Sequence, residues 1–124
     1  MNNKPKISVI TVSYNSQSTI RKTVESVANQ DYTNKEHVVI DGKSTDWTLD
    51  ILDFCKQKID ILVSEEDEGI YDAMNKGILA SSGDIIGILN SDDFYADQNI
   101  LTQVAEIFEK SKCDCLYGDL VYVS

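Results

Sequence analysis

Two adjacent carboxylates, Asp92 and Asp93, follow closely on the apolar run Ile85 to Leu89, within Asn90-Ser91-Asp92-Asp93. Side by side they repel unless a cation, a hydrogen-bond donor or water compensates them. Mn2+ or Mg2+ does this well, because hard divalent cations prefer oxygen ligands and commonly take one or two carboxylates together with substrate phosphates and waters. Taken alone, an Asp-Asp pair more commonly marks a helix start, with Asp93 capping a following turn and Asp92 solvated. Two further loops hold polar groups of interest. Tyr14, ending the run Ile7 to Tyr14, could stack on a flat base, and Asp41, opening Asp41-Gly42-Lys43-Ser44-Thr45-Asp46, could accept hydrogen bonds from ribose hydroxyls or a base N–H. Taken singly, Tyr14 also suits a rim-packing aromatic and Asp41 an Asx-turn.

The block Glu66 to Gly77 opens a helix whose N-terminus could face the same mouth. Asp72 and Asn75 are one turn apart on it, and Asn75 offers both a donor and an acceptor. The competing reading is a solvated helix face with Asp67 as its N-cap, and Lys76 reads as a surface charge. The three cysteines, Cys55, Cys113 and Cys115, contain no C-x-x-C pair, and His37 is the single histidine. Neither a disulfide framework, a zinc site nor a Ser-His-Asp or Cys-His arrangement can be assembled from them.

These residues have to be held by regular elements. Ile7 to Tyr14 is rich in β-branched residues and predicts a first strand, followed by a helix from Thr19 to Gln30 with Ile20, Val24, Val27 and Ala28 at helical spacing. A second strand is predicted over His37 to Ile40, and a helix from about Asp46 with Trp47, Leu49, Ile51, Leu52 and Phe54 as its apolar face. A third strand then runs from Ile59 to Val63. A helix carrying Ile70, Met74, Ile78 and Leu79 ends near Ser82-Gly83, and Ile85 to Leu89 reads as a fully buried parallel strand. A last helix, Gln98 to Lys110 with Asp97 as its cap, leads to a strand around Leu116 to Val123. Alternating strands and helices predict an α/β fold, a mostly parallel Rossmann-like sheet with helices on both faces, whose ligands bind at the carboxyl ends of the strands. The loops that carry Tyr14, Asp41 and Asp92 all lie at that edge.

Residues 1–124 suit a single domain, with 42% hydrophobic and 26% charged residues. A net charge of -10 and a pI near 4.3 argue against a nucleic-acid partner, which needs clustered Lys and Arg, and favour cations. The segment shows no signal-like start and no run of about 18 apolar residues, so no membrane span is expected in it. A reducing, cytoplasmic location follows, with a peripheral position at the inner face of the membrane open to a longer protein.

In order and spacing, Ile7 through Asn15, Val39-Ile40-Asp41-Gly42-Lys43-Ser44-Thr45-Asp46 and Asn90-Ser91-Asp92-Asp93 resemble the inverting family 2 glycosyltransferases of the GT-A fold, particularly bacterial polysaccharide-building members. The resemblance implies a metal-dependent transferase taking a sugar from a nucleotide diphosphate, UDP foremost, to a saccharide or lipid-linked acceptor. It implies Val12 and Tyr14 beside the base, Asp41 at the nucleoside, and Asn90-Ser91-Asp92 in the D-x-D place. Asp92 is then the ligand of Mn2+ or Mg2+, with Asp93 in support. Gly69, Asn75 and Gly77 are similar to the segment under the donor diphosphate and sugar, and Tyr117-Gly118-Asp119 to the approach on the acceptor side.

Two positions depart from the family pattern. Many members have paired acids where this chain has Asp41-Gly42, and the D-x-D place begins with Asn90. The general base that an inverting transfer needs is expected in an acceptor-binding half beyond Ser124. Two other readings stand beside this one. A nucleotidyltransferase would resemble its family in a Gly-rich basic loop after the first strand, where this chain has Asn15-Ser16-Gln17-Ser18. A non-catalytic nucleotide-sugar-binding or assembly module is the alternative for the segment by itself. Leu116, Val121 and Val123 could form a bare sheet edge inviting a homodimer.

Overall fold

Four strands, β1 (Ile7–Ser13), β2 (Lys35–Asp41), β3 (Ile61–Ser64) and β4 (Ile85–Ile88), pair in parallel in the order β3-β2-β1-β4. The structure is a computed structural model that describes residues 5–111. The connections hold α1 (Ile20–Ala28), α2 (Thr48–Phe54), a short 3-10 turn at Lys56–Lys58 and α3 (Ile70–Ala80); α4 (Ile100–Ser111) follows β4. Helices cover both faces, as the alternation predicts. Val24 of α1 and Leu52 of α2 cluster with Val39, while Val27 of α1 and Leu101, Val104 and Ala105 of α4 cluster with Ile7 and Val9 on the same face of the sheet. Ala73 of α3 meets Ile10, Val38 and Ile40 on the opposite face.

The register decides which residues share the carboxyl edge. Ser13 lies beside Asp41, and Asp41 beside Ser64. β4 pairs with β1 up to Ile10↔Ile88, so the chain after β4 emerges level with the last residues of β1. Strand succession runs one way from β1 to β2 and β3, and the other way to β4. The resulting switch point, between the loops that leave β1 and β4, is where an open α/β sheet leaves a crevice. The amino edge is closed by polar links: Glu36 accepts hydrogen bonds from Ser8 Oγ and Ser82 N, each at 2.6 Å, and pairs with Lys6 at 3.4 Å.

Three expectations about packing are corrected. In α3 the buried residues are Ala73 and Gly77, whereas Ile70, Ile78 and Leu79 are exposed, Leu79 at 86%. A Cβ on Gly77 would sit 2.5 Å from Ile10 Cγ2, so the helix approaches the sheet through its small residues and turns its large ones outward. In α2, Leu52 is buried but Trp47 and Phe54 are exposed, Phe54 at 71%. Trp47 precedes the helix, and Phe54 lies about 200° round from Leu52, off the single stripe that a short helix can bury. β4 is not fully buried: Ile85 is, but Ile86 is 40% exposed at the edge of the described sheet.

The strand expected over Leu116 to Val123, the dimer edge assigned to it, Cys113, Cys115 and Tyr117-Gly118-Asp119 lie outside the described residues. His37 is not at the head of its strand but inside β2, fully buried, with Nε2 2.7 Å from Thr11 Oγ1. Its Nδ1 has no hydrogen-bond partner among the described residues. No helix among them is long and apolar enough to cross a membrane.

Candidate functional site

The loops at the carboxyl edge enclose two cavities that share Tyr14. The first, about 650 Å³, is lined by Tyr14, Gly42, Lys43, Ser44, Thr45, Glu66, Asp67 and Gly69. The second, about 520 Å³, is lined by Val12, Tyr14, Asn15, Ser16, Ser18, Thr19, Ile70, Asn90, Ser91 and Asp92. The first opens over the ends of β2 and β3, and the second occupies the switch point between β1 and β4.

Asp41 holds the first cavity together from beneath. Its carboxylate is wholly buried, with Oδ1 accepting from Ser13 Oγ (3.1 Å) and Ser44 Oγ (2.6 Å), and Oδ2 from Ser44 N (2.8 Å) and Ser64 Oγ (3.1 Å). These bonds tie β1, β2 and β3 to one side chain. Asp41 thus braces the turn that follows β2, bonding the N–H three residues on and not the one two residues on that an Asx-turn uses, and it is buried beneath the cavity and not among its lining residues. Asn15 makes the next clamp. At φ 48° it accepts on Oδ1 from the N–H groups of Thr45 (2.8 Å) and Asp46 (3.3 Å), while its own N–H donates to Ser44 Oγ (2.8 Å).

Above Asp41, Gly42 makes room. A Cβ there would meet Asp67 Oδ2 at 2.8 Å and Tyr14 Cδ1 at 3.5 Å, so the bare backbone lets a carboxylate and an aromatic ring converge. Asp67 Oδ1 accepts from Gly69 N at 3.1 Å. The Asp67 loop is fixed in turn by Lys76, whose Nζ donates to Glu66 O (2.8 Å) and pairs with Glu65 (3.1 Å) and Asp72 (3.5 Å). Partial burial would lower the Lys76 pKa, but the two carboxylates outweigh it and hold the ammonium above its ordinary value. Lys76 is thus a brace for the loop and not a free surface charge.

In the second cavity Asp92 is exposed, whereas Asp93 is buried behind it and its N–H closes a turn on Asn90 O at 3.0 Å. Burial and the neighbouring Asp92 charge push the Asp93 carboxyl up, against a hydrogen bond from Asn90. Thr23 of α1 anchors this turn, donating from Oγ1 to Ser91 O (2.9 Å) and Asp93 O (2.5 Å). Ser91 Oγ also lies 2.6 Å from Ser16 Oγ, joining the β1 and β4 loops. Among the residues expected at a site, Val12, Tyr14, Asn90, Ser91 and Asp92 converge on this cavity with Asp93 buried behind them, Asp41 lies beneath the first cavity, and Asn75 is exposed on α3 and lines neither.

Among the described residues no three His, Cys, Asp or Glu side chains are grouped to hold a metal ion. Asp92 offers one carboxylate, with the Asn90 amide and the Ser91 hydroxyl beside it on the cavity wall. Such an oxygen-only, incomplete donor set fits Mg2+ or Mn2+, which keep waters and share phosphate oxygens, and does not fit an all-protein cage. Gly42, Lys43, Ser44, Thr45, Glu66 and Asp67 are lining residues that the sequence reading did not assign. Their signal was position: all lie in loops that follow β2 and β3, the edge where the fold predicts ligands.

Residues 8–124 match the family model described as Glycosyl transferase family 2. TuaG of Bacillus subtilis, assigned to teichuronic acid biosynthesis, is 35% identical over 111 residues, which make up 87% of this chain and 44% of that protein. The S. aureus protein TarS 1-349, solved in complex with UDP-GlcNAc, superposes with a TM-score of 0.77 at 28% identity, covering 85% of this chain and 31% of that one. The mannosyltransferase PcManGT from Pyrobaculum calidifontis, solved in complex with GDP-Man and Mn2+, gives a TM-score of 0.78 at 26% identity, covering 86% and 33%. The chain spans less than half the length of the curated relatives it matches.

Proposed function

The chain belongs to glycosyl transferase family 2, and from that membership we propose that it is the donor-binding portion of a metal-dependent enzyme that transfers a sugar from a UDP-sugar to a saccharide or lipid-linked acceptor in cell-surface polysaccharide synthesis. The observation that carries this reading is the pair of cavities meeting at Tyr14, one over the ends of β2 and β3 and the other at the switch point beside Asp92. The first has the shape and polarity for a base and ribose: an aromatic face in Tyr14, an acceptor in Asp67 and hydroxyls in Ser44 and Thr45. The second would take the diphosphate, with Asp92, Asn90 and Ser91 as the residues that would hold Mn2+ or Mg2+.

A divalent cation bound there would neutralise charge as the diphosphate leaves. The protein's own part is to fix geometry. Asp41 and Asn15 set the base loop, Thr23 sets the Asp92 turn, and Val12 and Ile70 line the second cavity with apolar surface. The general base belongs to the acceptor-binding half expected beyond Ser124, and the location is the cytoplasm or the inner face of the membrane. TarS with UDP-GlcNAc and PcManGT with GDP-Man and Mn2+ support the donor class and the metal by likeness.

Calorimetric titration of the chain with UDP, with and without Mn2+, is the test. UDP binds, Mn2+ strengthens binding at least about tenfold, and Asp92→Ala removes the Mn2+ effect while leaving metal-free binding within about threefold. Absence of UDP binding by the wild type, or an undiminished Mn2+ effect in Asp92→Ala, overturns the proposal.

A further inference from the structure

Lys43 is the one basic side chain among the residues lining the two cavities. Although Glu66 and Asp67 line the same cavity, Lys43 forms no ion pair among the described residues. It sits at φ 63°, in the left-handed region where glycine is at ease and a lysine is strained. Lys43 is thus an exposed lining residue that has no carboxylate partner among the described residues, in a cavity whose other charged lining residues are Glu66 and Asp67.

Asp67, which lines the same cavity, has one carboxylate oxygen without a hydrogen bond among the described residues. Asp67 Oδ1 takes the Gly69 N–H, which leaves Oδ2 above Gly42, where a Cβ would come within 2.8 Å of it and 3.5 Å of the Tyr14 ring. Lys43 follows Gly42 in the chain. One wall of the cavity thus carries an anionic acceptor, a neighbouring cationic donor and an aromatic face.

We propose that Lys43 is a specificity-determining residue of the donor site, which together with Asp67 selects a base that presents a keto oxygen next to a ring N–H. Asp67 accepts from the ring N–H and Lys43 donates to the keto oxygen. Uracil presents this edge. Cytosine and adenine present an amino group next to a bare ring nitrogen, which sets a lone pair against the carboxylate and N–H donors against the ammonium. A site built to satisfy polar groups rejects the analogue that leaves them unpaired more strongly than an apolar pocket can. Guanine shares the keto and ring N–H edge on a larger base. The inference rests on the reading of the first cavity as the base site.

The test is calorimetry of the full chain with UDP, CDP and GDP at one fixed Mn2+ concentration, for the wild type, Lys43→Met and Lys43→Gly. The wild type prefers UDP to CDP by about tenfold or more, and both variants lose UDP affinity by about tenfold while CDP is unchanged. Lys43→Gly relaxes the positive φ, so a lost preference in that variant, at an unlowered thermal midpoint, cannot come from unfolding. GDP that binds the wild type loses affinity in step with UDP; GDP that binds and keeps its affinity in both variants overturns the inference. An unchanged ratio of UDP to CDP affinity in both variants also overturns it and leaves the site reading standing. A wild type that binds none of the nucleotides overturns the site reading first and the Lys43 role with it.

Discussion

At the scale of single residues, Tyr14 and Asp92 were legible because each stands at or shortly after the end of an apolar run, and both reach a cavity. Asp41 was legible as important but not in its manner of acting. Its partners Ser13, Ser44 and Ser64 come from three separate segments, and no local pattern announces that a carboxylate will be enclosed by all of them. His37 shows the same limit, since nothing near it in sequence predicts burial against Thr11. Burial pushes its pKa down from 6.5 to about 3. The unfolded chain takes up a proton near pH 6.5 and the folded chain does not until about pH 3, so the stability held by neutral His37 is complete above pH 6.5. Below that it declines by about 1.4 kcal/mol per pH unit. Urea unfolding midpoints should fall between about pH 6.5 and pH 4.5, and His37→Met should flatten that slope. Parallel pH profiles for the two proteins would remove His37 as the cause.

At the scale of elements, apolar periodicity placed every strand and helix from β1 to α4 and missed mainly at their ends. It misjudged faces where size, not hydrophobicity, decides contact. Ala73 and Gly77 carry α3 onto the sheet, and a reading that counts large apolar side chains turns that helix the wrong way round. Gly77→Val tests the point. The side chain must enter space that Ile10 occupies, and overpacking of this kind costs about 1 to 3 kcal/mol even though valine is the better helix former. The urea midpoint should drop accordingly, while Leu79→Ala, at an 86% exposed position on the same helix, should shift stability by less than about 0.5 kcal/mol. Equal effects from the two substitutions would mean that α3 does not meet β1 through Gly77.

At the scale of the whole molecule, alternation of strands and helices was enough to foresee the parallel sheet, because βαβ connections leave few other arrangements. The joining of loops was not foreseeable, since Asn15 to Thr45, Ser16 to Ser91 and Asp67 to Gly42 are meetings between distant segments. The net charge of -10 has its own consequence for the proposed donor. An anionic nucleotide approaches an anionic protein, so metal-free UDP affinity should rise as ionic strength goes from about 0.01 M to about 0.15 M and the screening length shrinks from about 30 Å to about 8 Å. Affinity that falls with salt, as at a basic phosphate site, would show that local cations and not the overall field govern approach. One close meeting also recasts the departure from the paired-acid pattern. A Cβ at position 42 would come within 2.8 Å of Asp67 Oδ2, so the loops after β2 and β3 bring that position and an acid to the same spot. With glycine at position 42, the carboxylate that stands over that place is Asp67, supplied by the loop after β3 and not by the loop after β2.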